Sequence, residues 1–386
     1  MRIALVAPLV STIAQPYLGG AQALLADLAQ GLARRGHSVT LFARRGSFVP
    51  GVSIEPIDVP ESVRPTNFSV GADLSRPPAD LSRPPASDIS RPAPSVGNGF
   101  FAQANLFLAL FLNLRQRGQE FDVIHAHAFD WPAFICSALL RDIPVVHTLH
   151  LQAIVPEINA ALRALHEQRH PLTLVTVSHA CARTYADYTP IDYVISNGID
   201  VDAIPFSSQV SLDAPLLFAG RISPEKGVEA AIAIAARADR RLLIAGGIYD
   251  QRYFDERVAQ LLLAAGERVA YLGQLERAAL WQIMGQAWGL LFPSAWDEPF
   301  GLVAVEAMAA GTPVIAFRRG AAAEVISHGT TGFLVAPDDI AQAAAHVDPL
   351  SAISRARCRS HVAAHFSLKR MIDGYEEVYG AVARSS

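Results

Sequence analysis

Short apolar runs alternate along the chain with longer stretches in which apolar residues recur at helical spacing. This alternation predicts parallel sheets with helices on both faces. In the first half we predict a helix at 20–35 and strands within 1–8 and at 39–43, 123–126, 144–148, 172–177 and 193–196. In the second half we predict strands at 216–219, 242–245, 269–272, 289–292 and 314–317, and helices near 227–238, 254–265, 276–287 and 299–310.

The restart of the pattern near the middle of the chain predicts two α/β domains of the Rossmann-like kind. A chain of 386 residues is also too long for one compact core. We place an N-terminal domain at 1–205 and a C-terminal domain at 206–365. A cleft between them is the first place to look for a binding site.

A proline-rich segment, about residues 62–99, interrupts the alternation. Residues 73–79 repeat identically at 80–86, and a degraded copy follows at 88–94. Proline lacks a backbone donor, so this density disfavours both helix and sheet. We interpret the segment as a polar surface insertion, with an acceptor-binding loop as the alternative.

Charge and cysteine content narrow the possible partners. The formal net charge is −4, and no run of five basic residues occurs, which disfavours nucleic acid and a polybasic membrane patch. The three cysteines lack metal or disulfide spacing, which favours a reducing, cytoplasmic compartment. The apolar stretch at 100–114 is shorter than the roughly 20 residues of a membrane span and predicts a buried helix. A small-molecule partner is expected.

The first candidate site is the turn from Gly220 to Gly227, which leaves a predicted strand and opens a helix. It carries Arg221 and Lys226, and Lys226 is one of only two lysines among 32 basic residues. Cations at a helix start suit phosphate oxygens, and a lysine can act as a point charge beside the planar fork of an arginine. The alternative is a solvated turn.

The second candidate site runs from Trp296 to Glu306. Pro299 fits the first position of a helix, so Glu298 is predicted at its positive end and Glu306 two turns inside. Carboxylates at these positions can accept hydrogen bonds from sugar and ribose hydroxyls. Alternatively, the two glutamates are an N-terminal charge and a solvated helix residue. Free amides that can hold an anion are predicted at Phe300, Gly301 and Leu302.

Weaker signals lie in the N-terminal half. Gly19 and Gly20 follow the first predicted strand and can let the backbone approach a diphosphate. Histidines lie at or beyond the carboxyl ends of two predicted strands, where parallel sheets build ligand crevices. They are His125, His127, His147 and His150. We expect at most one or two to be functional, because histidines at strand ends are often only structural.

Missing motifs also inform the prediction. Neither GxGxxG after a strand nor GxxxxGK[ST] occurs, so nicotinamide chemistry and P-loop hydrolysis lose support. The DxD-like residues 200–202 follow Asn197 and Gly198, and we assign them turn and cap duties.

Together these motifs resemble those of the family 4 glycosyltransferases of the GT-B fold, along nearly the whole chain. Glu298 and Glu306, with seven residues between them, match the family's paired glutamates. The other matching elements are Gly19 and Gly20, residues 122–127, residues 196–200, and Gly220 through Gly227.

The resemblance implies a retaining transfer of a hexose from a nucleoside diphosphate sugar, without metal or cofactor. It implies Arg221 and Lys226 on the diphosphate, Glu306 on the ribose, Glu298 on the donor sugar and His150 near the transferred sugar. The sequence around Glu298, compared with that family, suggests a uridine diphosphate hexose as donor.

The family fold implies two Rossmann-like domains with parallel sheets facing across a cleft, and a last helix, 366–386, that returns to the N-terminal domain. The proline-rich insertion has no counterpart in the family pattern, so the acceptor stays unidentified. Two rival hypotheses are a nucleotide-sugar epimerase of the same architecture and a sugar-nucleotide-binding protein without turnover.

Overall fold

The first unit of the fold is a seven-stranded parallel sheet. The computed structural model describes residues 1–15, 17, 19–60 and 98–384. The strand order is β3-β2-β1-β4-β5-β6-β7. The strands are β1 (Arg2–Val6), β2 (Ser38–Arg44), β3 (Ser53–Ile57), β4 (Val123–Ala126), β5 (Val145–Leu149), β6 (Leu172–Thr176) and β7 (Tyr193–Val194). The helices are α1 (Gly20–Arg34), α2 (Asn98–Gln116), α3 (Trp131–Ser137), α4 (Pro156–Glu167) and α5 (His179–Thr184).

The second unit is a six-stranded parallel sheet of order β10-β9-β8-β11-β12-β13. Its strands are β8 (Leu216–Ala219), β9 (Leu242–Ala245), β10 (Val269–Tyr271), β11 (Gly289–Phe292), β12 (Val314–Phe317) and β13 (Gly332–Val335). The later helices are α6 (Val228–Arg237), α7 (Gln251–Tyr253), α8 (Ala259–Ala265), α9 (Arg277–Gln286), α10 (Leu302–Ala309), α11 (Ala322–Val325), α12 (Ile340–Ala345), α13 (Arg355–His365) and α14 (Leu368–Arg384).

The prediction of two parallel-sheet α/β units is confirmed, and the two strands it missed both lie at sheet edges. β3 contains Glu55 and Pro56 and is only half-buried, so it lacks the apolar run of a central strand. β13 begins at Gly332, where a Cβ would come within 1.9 Å of the Val314 carbonyl oxygen. A glycine at that point lets β13 lie against β12.

The helix predicted at 299–310 begins later than Pro299. α10 starts at Leu302, after Gly301, whose φ of +96° turns the chain into the helix. Glu298 therefore lies in the loop before α10, and Glu306 lies just over one turn inside it. Gly311, with φ of +97°, ends the helix as predicted.

The last helix, α14, packs on the first unit. Its buried face shares a core with β1 and α1, and Tyr375 and Tyr379 are among the largest fully buried side chains. The Tyr379 hydroxyl makes a 2.6 Å hydrogen bond with Nδ1 of His125 on β4. Upstream, the Leu368 amide donates to the Ile199 carbonyl at 2.7 Å. These contacts tie the end of the chain to the first sheet.

α2 covers the stretch predicted as a buried helix at 100–114, and its inward face includes Phe107 and Phe111. Within the described residues, no helix is long and apolar enough to cross a membrane. The predicted proline-rich insertion lies outside the described residues, apart from its last two positions, which begin α2.

Tyr379→Phe should lower the free energy of unfolding by about 1–3 kcal/mol, because it leaves a buried ring nitrogen of His125 without its partner. Urea unfolding measures the change, with the backbone structure followed by far-UV circular dichroism. Tyr193→Phe, at a 39% exposed position, is the control and should leave the transition unchanged. Equal transitions for the two variants would contradict a stabilising role for the α14 contact.

Candidate active site

The candidate residues of the second unit lie on loops and helices that follow the carboxyl ends of β8 and β11. Parallel sheets build their ligand crevices at this edge. Arg221 and Lys226 lie between β8 and α6, and Glu298 lies between β11 and α10. Glu306 lies on α10 itself.

A close backbone approach brings the two loops together. Gly227, with φ of +74°, is the residue just before α6, and a Cβ there would lie 1.9 Å from the Pro293 carbonyl oxygen. Nζ of Lys226 forms an ion pair with Oε1 of Glu298, and these side chains are only 19% and 9% exposed. Ser294 Oγ donates to the same carboxylate oxygen at 3.3 Å. Lys226 and Glu298 therefore form one buried, hydrogen-bonded pair.

Arg221 is the more open cation of the turn. Its side chain is 39% exposed, and Nη2 lies 3.6 Å from Oε1 of the buried Glu225. The guanidinium stacks over the ring of Tyr249, 4.3 Å from its centroid. Ser223 donates to Glu225 at 2.6 Å, which fixes that carboxylate. A guanidinium held on one side by an aromatic ring keeps donors for a ligand.

Two helix starts meet at this place. A Cβ on Gly20, the first residue of α1, would lie 3.2 Å from Cδ2 of Leu302, the first residue of α10. Within the described residues, the amides of Phe300, Gly301 and Leu302 donate no hydrogen bond. Unpaired amides and two positive helix ends together favour an anion.

The first unit clamps the loop that carries Glu298. Ser178 Oγ donates to the Pro299 carbonyl at 2.6 Å, and the Gln152 amide donates to the Asp297 carbonyl. From the other side, the Ala321 amide donates to the Glu298 carbonyl at 2.9 Å. The position of Glu298 therefore depends on both units.

Glu306 is buried and ion-paired, so it is not the solvated helix residue that the sequence left as an alternative. Nε of Arg277, the first residue of α9, donates to its Oε1 at 3.1 Å. Burial raises the pKa of Glu306, and the Arg277 guanidinium offsets part of that rise. The same guanidinium donates to Asp27 on α1 at 2.9 Å. Sequence reasoning missed Arg277, because an arginine at a helix start carries no motif.

The histidines form a buried, neutral cluster at the edge of the first sheet. His150, just past β5, makes a 2.9 Å ring-to-ring hydrogen bond with His127. Burial lowers the pKa of His150 to about 4. Two residues further on, Gln152 contacts the loop that carries Glu298. His150 is therefore brought towards the same loop as an uncharged group.

His147 and His125 have structural surroundings. The His147 ring stacks on Phe134 at 4.6 Å between centroids, and neither ring nitrogen has a hydrogen-bond partner in the part of the chain that the structure describes. His125 is paired with Tyr379 and with Thr148 at 2.8 Å.

The Asp202 amide donates to the Asp200 carboxylate at 3.2 Å, as expected for a turn. Among the described side chains, no group of three or more His, Cys, Asp or Glu could hold a metal ion.

Comparison with known proteins identifies relatives over both units. The family described as "Glycosyltransferase Family 4" matches residues 18–203, and "Glycosyl transferases group 1" matches residues 202–361. Glycogen synthase of Mycobacterium tuberculosis H37Rv is 33% identical over 293 residues, which cover 68% of this chain and 69% of that protein. Phosphatidyl-myo-inositol mannosyltransferase of Mycobacterium leprae is 30% identical over 283 residues, covering 69% and 73%.

Solved structures show the same fold at low identity. Sucrose-phosphate synthase from Thermosynechococcus elongatus aligns with a TM-score of 0.76 at 20% identity, covering 100% of both chains. HepE from Anabaena in complex with UDP and glucose aligns with a TM-score of 0.68 at 20% identity, covering 98% of this chain and 99% of that one. Both matches extend over the two units together.

His147→Phe should flatten the pH dependence of stability. Burial lowers the pKa of His147 to about 3, from an ordinary value of 6.5. The folded state thus stays unprotonated while the unfolded chain takes up a proton, so this stability is present above pH 6.5 and lost as the pH falls towards 3. Between pH 6 and 4, the slope of unfolding free energy against pH should drop by about 1.4 kcal/mol per pH unit.

Chemical denaturation at several pH values measures the slope. The exposed His166, changed to Gln, is the matched control and should leave the slope as in the wild type. If the slope of unfolding free energy against pH in His147→Phe equals that of the wild type, His147 has the same pKa in the folded and unfolded chains.

Proposed function

Since the chain belongs to family 4 of the GT-B glycosyltransferases, we propose that it transfers a hexose from a nucleoside diphosphate sugar to a hydroxyl acceptor, with retention at the anomeric carbon. The observation that carries this proposal is the meeting of α1, α10 and the Lys226–Glu298 pair at one place. A sugar diphosphate requires a place that binds an anion beside carboxylates that accept hydrogen bonds from hydroxyl groups.

The diphosphate is proposed to lie against the start of α10. Its oxygens accept hydrogen bonds from the free amides there, and Arg221 and Lys226 supply the balancing positive charge. On the first unit, Gly19 and Gly20 at the start of α1 are proposed to let the backbone approach the diphosphate closely. When the bond between sugar and phosphate breaks, negative charge grows on the leaving oxygen, where a preorganised cation stabilises it most.

The glutamates are proposed to bind hydroxyl groups. Glu298 accepts from the transferred sugar, and Glu306 accepts from the ribose. His150, uncharged in its buried cluster, is proposed to form a hydrogen bond with the transferred sugar. The acceptor oxygen forms the new bond on the face that the phosphate leaves, and its proton passes to the leaving phosphate oxygen. Neither glutamate acts as a covalent nucleophile in this proposal, in contrast to retaining glycosidases.

A uridine diphosphate hexose is the proposed donor. Support comes from HepE, whose solved complexes contain UDP, UDP-glucose, and UDP with glucose. We propose that no metal or other cofactor takes part, because the charges that meet the diphosphate are side chains and amides. The matched relatives are transferases, which disfavours the epimerase and the protein without turnover. The cytoplasmic location belongs to the same proposal.

The test of function is an assay of nucleotide release. After a thermal-shift panel of UDP-, GDP- and ADP-sugars selects the donor, candidate acceptors are screened with it in excess EDTA. We expect release of the free nucleoside diphosphate only when an acceptor is present, at the same rate with and without EDTA. The anion-stabilising groups need no metal ligand.

Two results would count against the proposal. Conversion of the donor sugar to an epimer without acceptor would favour the epimerase. Loss of most activity in EDTA, restored by Mn²⁺ or Mg²⁺, would contradict metal independence.

Lys226→Ala should lower kcat by about 10²–10³, because one preorganised donor at the developing charge is removed. The KM for the donor should rise only modestly, since Arg221 and the α10 amides still meet the ground-state diphosphate. Lys226→Arg should restore little activity, because its planar fork cannot occupy the same point. Steady-state kinetics with varied donor measure both constants.

Lys369→Ala is the matched control, because Lys369 is the other lysine of the chain and its side chain is 79% exposed. Its kinetics should equal those of the wild type. If Lys226→Ala raises KM and leaves kcat unchanged, Lys226 is a uniform binding contact and does not lie beside the leaving oxygen.

A further inference from the structure

Arg277 is a cation shared between the two units. Its Nη1 lies 2.9 Å from Oδ2 of Asp27 on α1, and its Nε lies 3.1 Å from Oε1 of Glu306 on α10. The guanidinium also stacks over Trp281, 4.7 Å from the ring centroid. All three charged side chains are largely buried. This arrangement is therefore fixed by packing as well as by charge.

The bridge lies beside the proposed nucleotide site. α1 and α10 begin in contact with each other at Gly20 and Leu302. Asp27 lies two turns along α1, and Glu306 lies just over one turn along α10. Arg277 therefore joins the two helices just behind the place where their starts meet.

The bond from Nε fixes one oxygen of Glu306 and leaves the carboxylate with capacity to accept ribose hydroxyls. The planar guanidinium donates to the two carboxylates from separate nitrogens, Nη1 to Asp27 and Nε to Glu306, and the single nitrogen of a lysine ammonium does not reproduce this fixed fork. Burial raises the pKa of both Asp27 and Glu306, and Arg277 opposes this rise in each case. Without Arg277, nothing from this guanidinium would oppose the rise in the pKa of the two buried carboxyls, and each would be protonated more readily. A protonated Glu306 is a poorer hydrogen-bond acceptor.

We infer that Arg277 is a positioning residue that aims the Glu306 carboxylate at the ribose hydroxyls, and that Asp27 makes this alignment depend on contact between the two units. The inference rests on the proposed ribose role of Glu306. It adds that discrimination between ribose and deoxyribose depends on the bridge from Asp27 through Arg277 to Glu306.

The experiment compares the affinity for UDP with that for 2′-deoxy-UDP and 3′-deoxy-UDP by calorimetry. In the wild type, UDP should bind about tenfold more tightly than the weaker deoxy form, because a hydrogen bond to a charged acceptor is lost. In Arg277→Gln the ratio should fall towards one, with UDP about tenfold weaker and the deoxy forms little changed. Arg277→Lys should recover only part of the ratio. Asp27→Asn, which keeps the cation, should also lower the ratio.

Two controls separate positioning from general effects. Arg257→Gln removes a surface arginine paired with Glu229 at 2.8 Å, and it should keep the wild-type ratio. Glu324→Gln removes another contact between the units, in which the carboxylate accepts from the His179 and Ala180 amides at 2.8 and 2.6 Å. It should weaken UDP and its deoxy forms equally, because it removes a contact between the units but leaves the bridge from Asp27 through Arg277 to Glu306 in place.

The outcomes distinguish this inference from the function on which it rests. If Glu306→Gln removes discrimination but Arg277→Gln keeps it, Arg277 is a structural ion pair and only the inference fails. If Asp27→Asn behaves like Glu324→Gln, the coupling through Asp27 is wrong. If the wild type does not discriminate, the ribose role of Glu306 fails, and the inference fails with it.

Discussion

The geometry of the site depends on one close contact between backbones. Gly227 approaches the Pro293 carbonyl so closely that no side chain fits between them. This contact lets the turn after β8 lie against the loop after β11, which brings Lys226 to Glu298. A larger residue at Gly227 would have to move one loop away from the other. The cation and the carboxylate would then lose the partner that makes their burial tolerable.

The contact between the two units completes the arrangement. Ser178 and Gln152 of the first unit hold the loop around Glu298, and Arg277 joins α10 to α1. Ser178 and Gln152 follow the carboxyl ends of β6 and β5, and Arg277 begins the helix after β10. The site residues are thus held by different elements of both units, so the shape of the site depends on how the two units pack together.

The sequence predicted the central strands well and the details around them less well. Apolar runs such as 216–219 and 314–317 identify buried parallel strands, and the motifs around Lys226 and Glu298 identify the loops that follow them. Edge strand β3 was missed because its Glu55 and Pro56 give no apolar run. The start of α10 was placed too early because Pro299 is a common first helical residue, whereas here Gly301 makes the turn. Arg277 could not be recognised, since its partners are 250 and 29 positions away.

The charges of the site support a transfer without a covalent glutamate. The buried histidines are neutral at ordinary pH, so positive charge at this place comes from Arg221, Lys226 and the two helix starts. The Glu298 carboxylate already accepts from Lys226 and Ser294, and a carboxylate held in this way is a weaker nucleophile than a free one. What the pair offers instead is a fixed acceptor for a hydroxyl, beside a cation held in place before the reaction. That division of roles is what the proposed mechanism requires.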